Sequence, residues 1–111
     1  MDKNEKLLNE YLIWKQNNFN KKKGFFPIFK EFLNYMPNIS PGAISLFLYF
    51  GLNSKTHTGD SFHSIQTIAD FFGKTPRTIT NWIKELEDND LIIRKQFGLN
   101  QVSITYLRPY R

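Results

Sequence analysis

Along residues 65–84 (IQTIADFFGKTPRTITNWIK) the apolar positions fall twice into the spacing of one buried helical face. Ile65, Ile68, Ala69 and Phe72 form the first set, and Ile79, Trp82 and Ile83, continued by Leu86, form the second. Two short amphipathic helices are therefore predicted around Gly73, which can take the positive-φ conformation that ends a helix at little steric cost. The small side chain of Ala69 lets the second helix cross closely. Thr75 followed by Pro76 is a helix start signal: the hydroxyl caps free amides, and proline sits at the first helical position, where its missing donor costs nothing. The second helix is expected over residues 76–88.

Upstream, Leu7, Leu8, Tyr11 and Leu12, with Trp14 beside them, fit one face of a helix over residues 5–16. The stretch 17–24 (NNFNKKKG) then reads as a solvated linker, or an arm reaching for DNA, through Lys21, Lys22 and Lys23. Phe25, Ile28, Phe29, Phe32, Leu33 and Met36 keep helical spacing behind Pro27, which predicts another helix over residues 25–36. Ser40-Pro41 repeats the cap-then-proline signal before a segment, 42–52, that is apolar almost all round and so buried on two sides. Residues 53–61 (NSKTHTGDS) read as a polar loop, after which Ser64 caps the first helix of the pair. Beyond Asp90, Leu91, Ile92 and Ile93 predict a strand, and Val102, Ile104 and Tyr106 alternate with polar residues in a second, with the turn at residues 97–100. The expected fold is mostly α with a small β-hairpin, an α+β chain. Residues 1–38 are expected to form an N-terminal helical extension, its apolar segments 11–14 and 25–36 serving either the core or a two-fold dimer, and residues 39–111 a helix-turn-helix followed by a hairpin, the winged-helix order.

Length and composition narrow the functions. With 111 residues, 41% of them hydrophobic, the chain can build one core and hardly two. Fifteen Lys and Arg against ten Asp and Glu leave a net charge of +5, which favours an anionic partner. The absence of cysteine excludes disulfides, thiolate metal sites and zinc fingers, and suits a reducing cytoplasm. The first twenty residues look like neither a secretory signal nor a membrane span, so a cytoplasmic protein is expected, nucleoid-associated if its anionic partner is DNA. His57 and His63 have no third ligand at metal spacing, and neither a Ser/His/Asp arrangement, a phosphate-cradling glycine loop nor a carboxylate pair can be made out. Neither a metal, a cofactor nor an enzymatic activity is expected.

Residues 61–93 (SFHSIQTIADFFGKTPRTITNWIKELEDNDLII) resemble the winged helix-turn-helix family found in plasmid and phage replication proteins and small bacterial transcriptional regulators. The pattern is carried by Ser64, Thr67-Ile68-Ala69, Gly73, Arg77-Thr78-Ile79, Ile83, Glu85-Leu86-Glu87 and Leu91-Ile92, and the likeness extends over roughly residues 39–107. Two positions depart from it: Asp90 stands where the family usually has glycine, and Trp82 is bulkier than usual, which implies altered packing against the 42–52 helix. The resemblance implies binding of double-stranded DNA, as a transcriptional regulator or a plasmid, phage or mobile-element replication accessory factor, with a homodimer and a replication-protein partner as expected associations.

If the second helix enters the major groove, its outward face presents Arg77, Thr78, Asn81 and Lys84, with Lys74, Thr75 and Thr80 at the edges. Arg77 matches the acceptor pair of guanine and Asn81 the donor and acceptor of adenine; Thr78 suits a phosphate. On the wing, Arg94, Lys95 and Gln101 are expected to hold the phosphate backbone, the alternative being solubilising polarity on an edge hairpin. Glu85, Glu87, Asp88 and Asp90 should keep the far end of the helix away from DNA. Two rival readings are a protein-interaction adaptor in a replication complex, and a single-stranded DNA binder stacking bases on Phe97, Tyr106 or Tyr110.

Overall fold

Capping decides where the first helix begins. In the computed structural model, which describes residues 2–22, 24–54 and 60–111, the Asp2 carboxylate accepts the Glu5 amide at 2.8 Å and opens α1, Lys3–Asn20. This helix outruns the expected 5–16 span. Asn18 Nδ2 donates to the Trp14 carbonyl at 2.8 Å and Gln16 Nε2 to Asn20 Oδ1 at 2.9 Å, so side chains read as turn formers brace the last turn instead. Lys21 and Lys22 close its C-terminal end, Lys22 with φ 53°; Lys23 lies outside the described residues. No residue of α1 is buried.

The helix expected over residues 25–36 does not form. Residues 24–29 are in neither helix nor strand, and from the extended Phe29 the chain makes two 3-10 turns, Lys30–Asn34 and Met36–Asn38. The aromatic side chains of Phe26 and Phe32 dock on residues 47–51 instead. Phe32 stacks on Phe47 with ring centroids 4.7 Å apart, and Phe26 lies over Gly51, 5.8 Å from the Phe47 ring. The Phe29 amide donates to the Tyr110 hydroxyl at 2.8 Å, tying this segment to the C-terminal end. Phe25, Ile28, Phe29, Leu33 and Met36, assigned to a buried face by periodicity, stay exposed.

The centre of the core is α2, Pro41–Leu52, capped by Ser40, with Ala43, Leu46, Phe47, Phe50 and Gly51 buried. It packs against α4, Pro76–Asp88, which follows α3, Ile65–Phe72. Ile68, Ala69, Ile79, Ile83 and Leu86 supply the buried faces, as the spacing requires. Trp82 is accommodated because Gly42 faces it: any Cβ at Gly42 would overlap the indole. The departure at Asp90 is met by the residue itself, which takes φ 58° while the Leu91 amide reaches back to the Leu86 carbonyl at 3.0 Å, closing α4 as a glycine would.

The hairpin β2, Ile92–Lys95, and β3, Ile104–Leu107, pairs antiparallel with Arg94 opposite Thr105. A third strand, β1, Asp60–Phe62, adds to the other side of β3 with Ser61 opposite Thr105, giving the order β1-β3-β2. Residues 60 and 61 thus lie in a strand and not in the expected polar loop; a three-residue strand has too little pattern of its own and exists because β3 offers an edge. Residues 55–59 of that loop, His57 included, lie outside the described residues.

Candidate nucleic-acid interface

The two helices of the motif are set by three local devices. Ser64 Oγ accepts the Thr67 amide at 3.1 Å, Gly73 takes φ 64° and ψ 38°, and Thr75 Oγ1 accepts the Thr78 amide at 3.2 Å. The Lys74 amide returns to the Ala69 carbonyl at 3.0 Å, so the turn consumes its own polar groups. With Ile79, Ile83 and Leu86 turned to the core, Arg77, Asn81 and Lys84 come out on the opposite face of α4 at the i, i+4, i+7 spacing. All three side chains, and Lys74 in the turn, are exposed and have no hydrogen-bond or ion-pair partner among the described residues.

The threonines are committed elsewhere. Thr75 and Thr78 hydroxyls bond each other at 3.1 Å, and Thr80 Oγ1 donates to the Pro76 carbonyl at 3.0 Å. They shape the N-terminal turn of α4 before they can offer anything to a ligand. The acidic end is also less uniform than expected. Glu87, Asp88 and Asp90 are exposed, but the Glu85 carboxylate is half-buried and accepts both the Ser40 amide at 2.8 Å and the Ser40 hydroxyl at 2.6 Å. It ties α4 to the N-terminus of α2, where a negative charge also meets the positive end of the helix.

Arg94 is corrected by the structure. It was expected to reach outward for phosphate; its guanidinium instead turns inward, donating to Thr105 Oγ1 at 2.7 Å and to the His63 carbonyl at 2.7 Å. Strand alternation explains this: the buried Ile92 and the half-buried Arg94 share the core side of β2, while Ile93 and Lys95 are exposed. Burial lowers the Arg94 pKa, with Glu87 opposing the change. Lys95 is exposed on the outer face, lining a shallow groove with Ile93, Tyr106 and Arg108. Gln101 is exposed in the loop between β2 and β3, its amide bonded to the Gly98 carbonyl at 3.2 Å.

Arg77, Asn81 and Lys84 share one face of α4, with Lys74 in the turn before it; on the wing, Arg94 and Gln101 line one cleft while Lys95 lies on the other face of β2. The structure adds residues the sequence did not single out. The cleft, of about 340 Å³, runs between the start of α3 at Ser64 and the wing loop, where Gln96, Asn100 and Ser103 join Gln101. On the wing side its wall includes Asn100 at φ 63° and Gln96, whose Nε2 donates to the Gln101 carbonyl at 3.0 Å. Among the described residues no group of three or more His, Cys, Asp or Glu could hold a metal ion, and no helix is long and apolar enough to cross a membrane.

Residues 38–92 match the model of a family described as a helix-turn-helix domain. No curated protein matches at significant similarity. Three similar solved structures are a Rep-DNA complex (21% identity over 83% of this chain and 80% of that one, TM-score 0.59), the N-terminal domain of a DNA binding protein (21%, 83% and 79%, 0.59) and a MarR-like transcriptional regulator from Thermotoga maritima (20%, 96% and 65%, 0.52). At these identities the likeness shows the fold.

Proposed function

We infer, for a chain whose residues 38–92 belong to the helix-turn-helix domain family, that it binds double-stranded DNA through the outward face of α4. The observation that carries the reading is the row Arg77, Asn81 and Lys84, exposed and uncommitted on a helix whose other face is locked into the core. Arg77 reads guanine and Asn81 adenine from the major groove, and Lys74 and Lys84 hold phosphates. The net charge of +5 draws the chain to DNA. The two similar structures named for DNA complexes or DNA binding, and the regulator, support a role in replication or in transcriptional control. The protein acts as a binding protein rather than an enzyme, on the nucleoid in the cytoplasm. It works as a homodimer on a palindromic or repeated site, and a replication protein is a further partner.

Selection of random duplex DNA by the purified protein at near-physiological salt tests this. An enriched motif, with binding that weakens steeply as salt rises, is the expected result. Retention without any enriched sequence, or binding indifferent to salt, overturns it in favour of a protein-interaction adaptor.

A further inference from the structure

A row of exposed apolar side chains runs along α1. Leu7, Leu8, Tyr11, Leu12 and Trp14 are 48–61% exposed there. Phe19 and Phe25 extend the surface at the helix end, 5.4 Å apart and edge to face. No residue of the helix is buried, so the core does not explain its apolar face. We infer that this face pairs with α1 of a second copy of the chain, antiparallel, with the two-fold axis near Tyr11. The inference rests on the homodimer reading and supplies the element that makes it.

Three observations select this occupant. The first is charge: over residues 2–20, the stretch that would pair, Lys3, Lys6 and Lys15 are balanced by Asp2, Glu5 and Glu10, and Lys21 and Lys22 follow only past its end, in a chain of net charge +5. Two copies can approach there without repulsion, whereas a helix made to lie on an anionic membrane or on nucleic acid carries an excess of Lys and Arg. The second is area. Aromatic side chains bury roughly 150–250 Å² each. The exposed parts of four rings and three leucines thus approach, in order of magnitude, the ~800 Å² that one partner contributes to a standard interface.

The third is shape, which fixes the direction. The N-terminal half of the face carries Leu7 and Leu8. The C-terminal half carries an open cleft of about 300 Å³ lined by Tyr11, Trp14, Lys15, Asn18, Phe19 and Phe25. A two-fold near Tyr11 sets Leu8 opposite Trp14, Leu7 opposite Lys15 and Asn4 opposite Asn18, so the leucines of each copy fill the cleft of the other. Parallel pairing would set cleft against cleft.

The test needs no DNA, so its failure is distinct from failure of the DNA-binding reading. Sedimentation of the full chain over a wide concentration range should show a monomer–dimer equilibrium. Leu8→Glu with Trp14→Glu should raise its Kd by about tenfold or more while leaving the melting of the remainder unchanged, since α1 contributes no buried residue. Because the chain has no cysteine, single thiols report direction: a chain with Asn4→Cys should cross-link to one with Asn18→Cys and neither to itself. A monomer at all concentrations, a dimer indifferent to the two glutamates, or self-cross-linking of Asn4→Cys each overturns the proposal.

Discussion

Gly42 and Trp82 occupy one space between them, and that makes them a single unit of the core although forty positions separate them. Gly42→Ala puts a methyl group into the indole, and overpacking of this kind costs about 1–3 kcal/mol. Thermal melting should show the loss, and combining it with Trp82→Phe should recover part of it. Arg94 makes the complementary case. Removing its guanidinium leaves Thr105 and the His63 carbonyl without their donor, at about 1–3 kcal/mol. Arg94→Met should therefore lower the melting temperature, whereas Arg77→Ala, on an exposed side chain, should leave it alone and cost about 1–3 kcal/mol of discrimination at one base pair, read by competition binding. A base preference unchanged by Arg77→Ala would displace α4 from the groove. Neither Glu85 nor Arg94 could be identified as a structural clasp from the sequence, because Ser40 is forty-five residues from one and His63 thirty-one from the other. Both read as surface charge until the fold brings their partners close.

At the scale of elements, what was legible was what is local. Ser40, Ser64 and Thr75 cap the helices they were expected to cap, and Gly73 ends α3 in the left-handed region. Apolar spacing identified the faces of α3 and α4 because each residue there is buried by one neighbouring layer. Residues 25–36 keep the same spacing and form no α-helix: Phe26 and Phe32 both pack on Phe47 of α2, and Phe26 also lies over Gly51. Strand β1 escaped notice because its pairing with β3 is long-range. The close crossing of α3 gives a prediction of its own. Ala69 is 1% exposed, so Ala69→Leu must push the helices apart, at about 1–3 kcal/mol. A cooperative melt at the unchanged temperature would refute the crossing.

As a whole the molecule measures 60 × 31 × 30 Å. An elongated outline is expected when an 18-residue helix, about 27 Å long at 1.5 Å per residue, adds nothing to the core. The chain carries two tryptophans, and the fold puts them in different surroundings. Trp82 sits half-buried over Gly42, edge-on to Phe72 at 5.6 Å, while Trp14 is 61% exposed on α1. Their fluorescence should therefore separate two events in one sample. With Trp14→Phe, emission should follow only denaturation of the winged helix, independent of concentration. With Trp82→Phe, the remaining red-shifted band should move to the blue as the protein is concentrated, which makes the indole of α1 an intrinsic optical gauge of association.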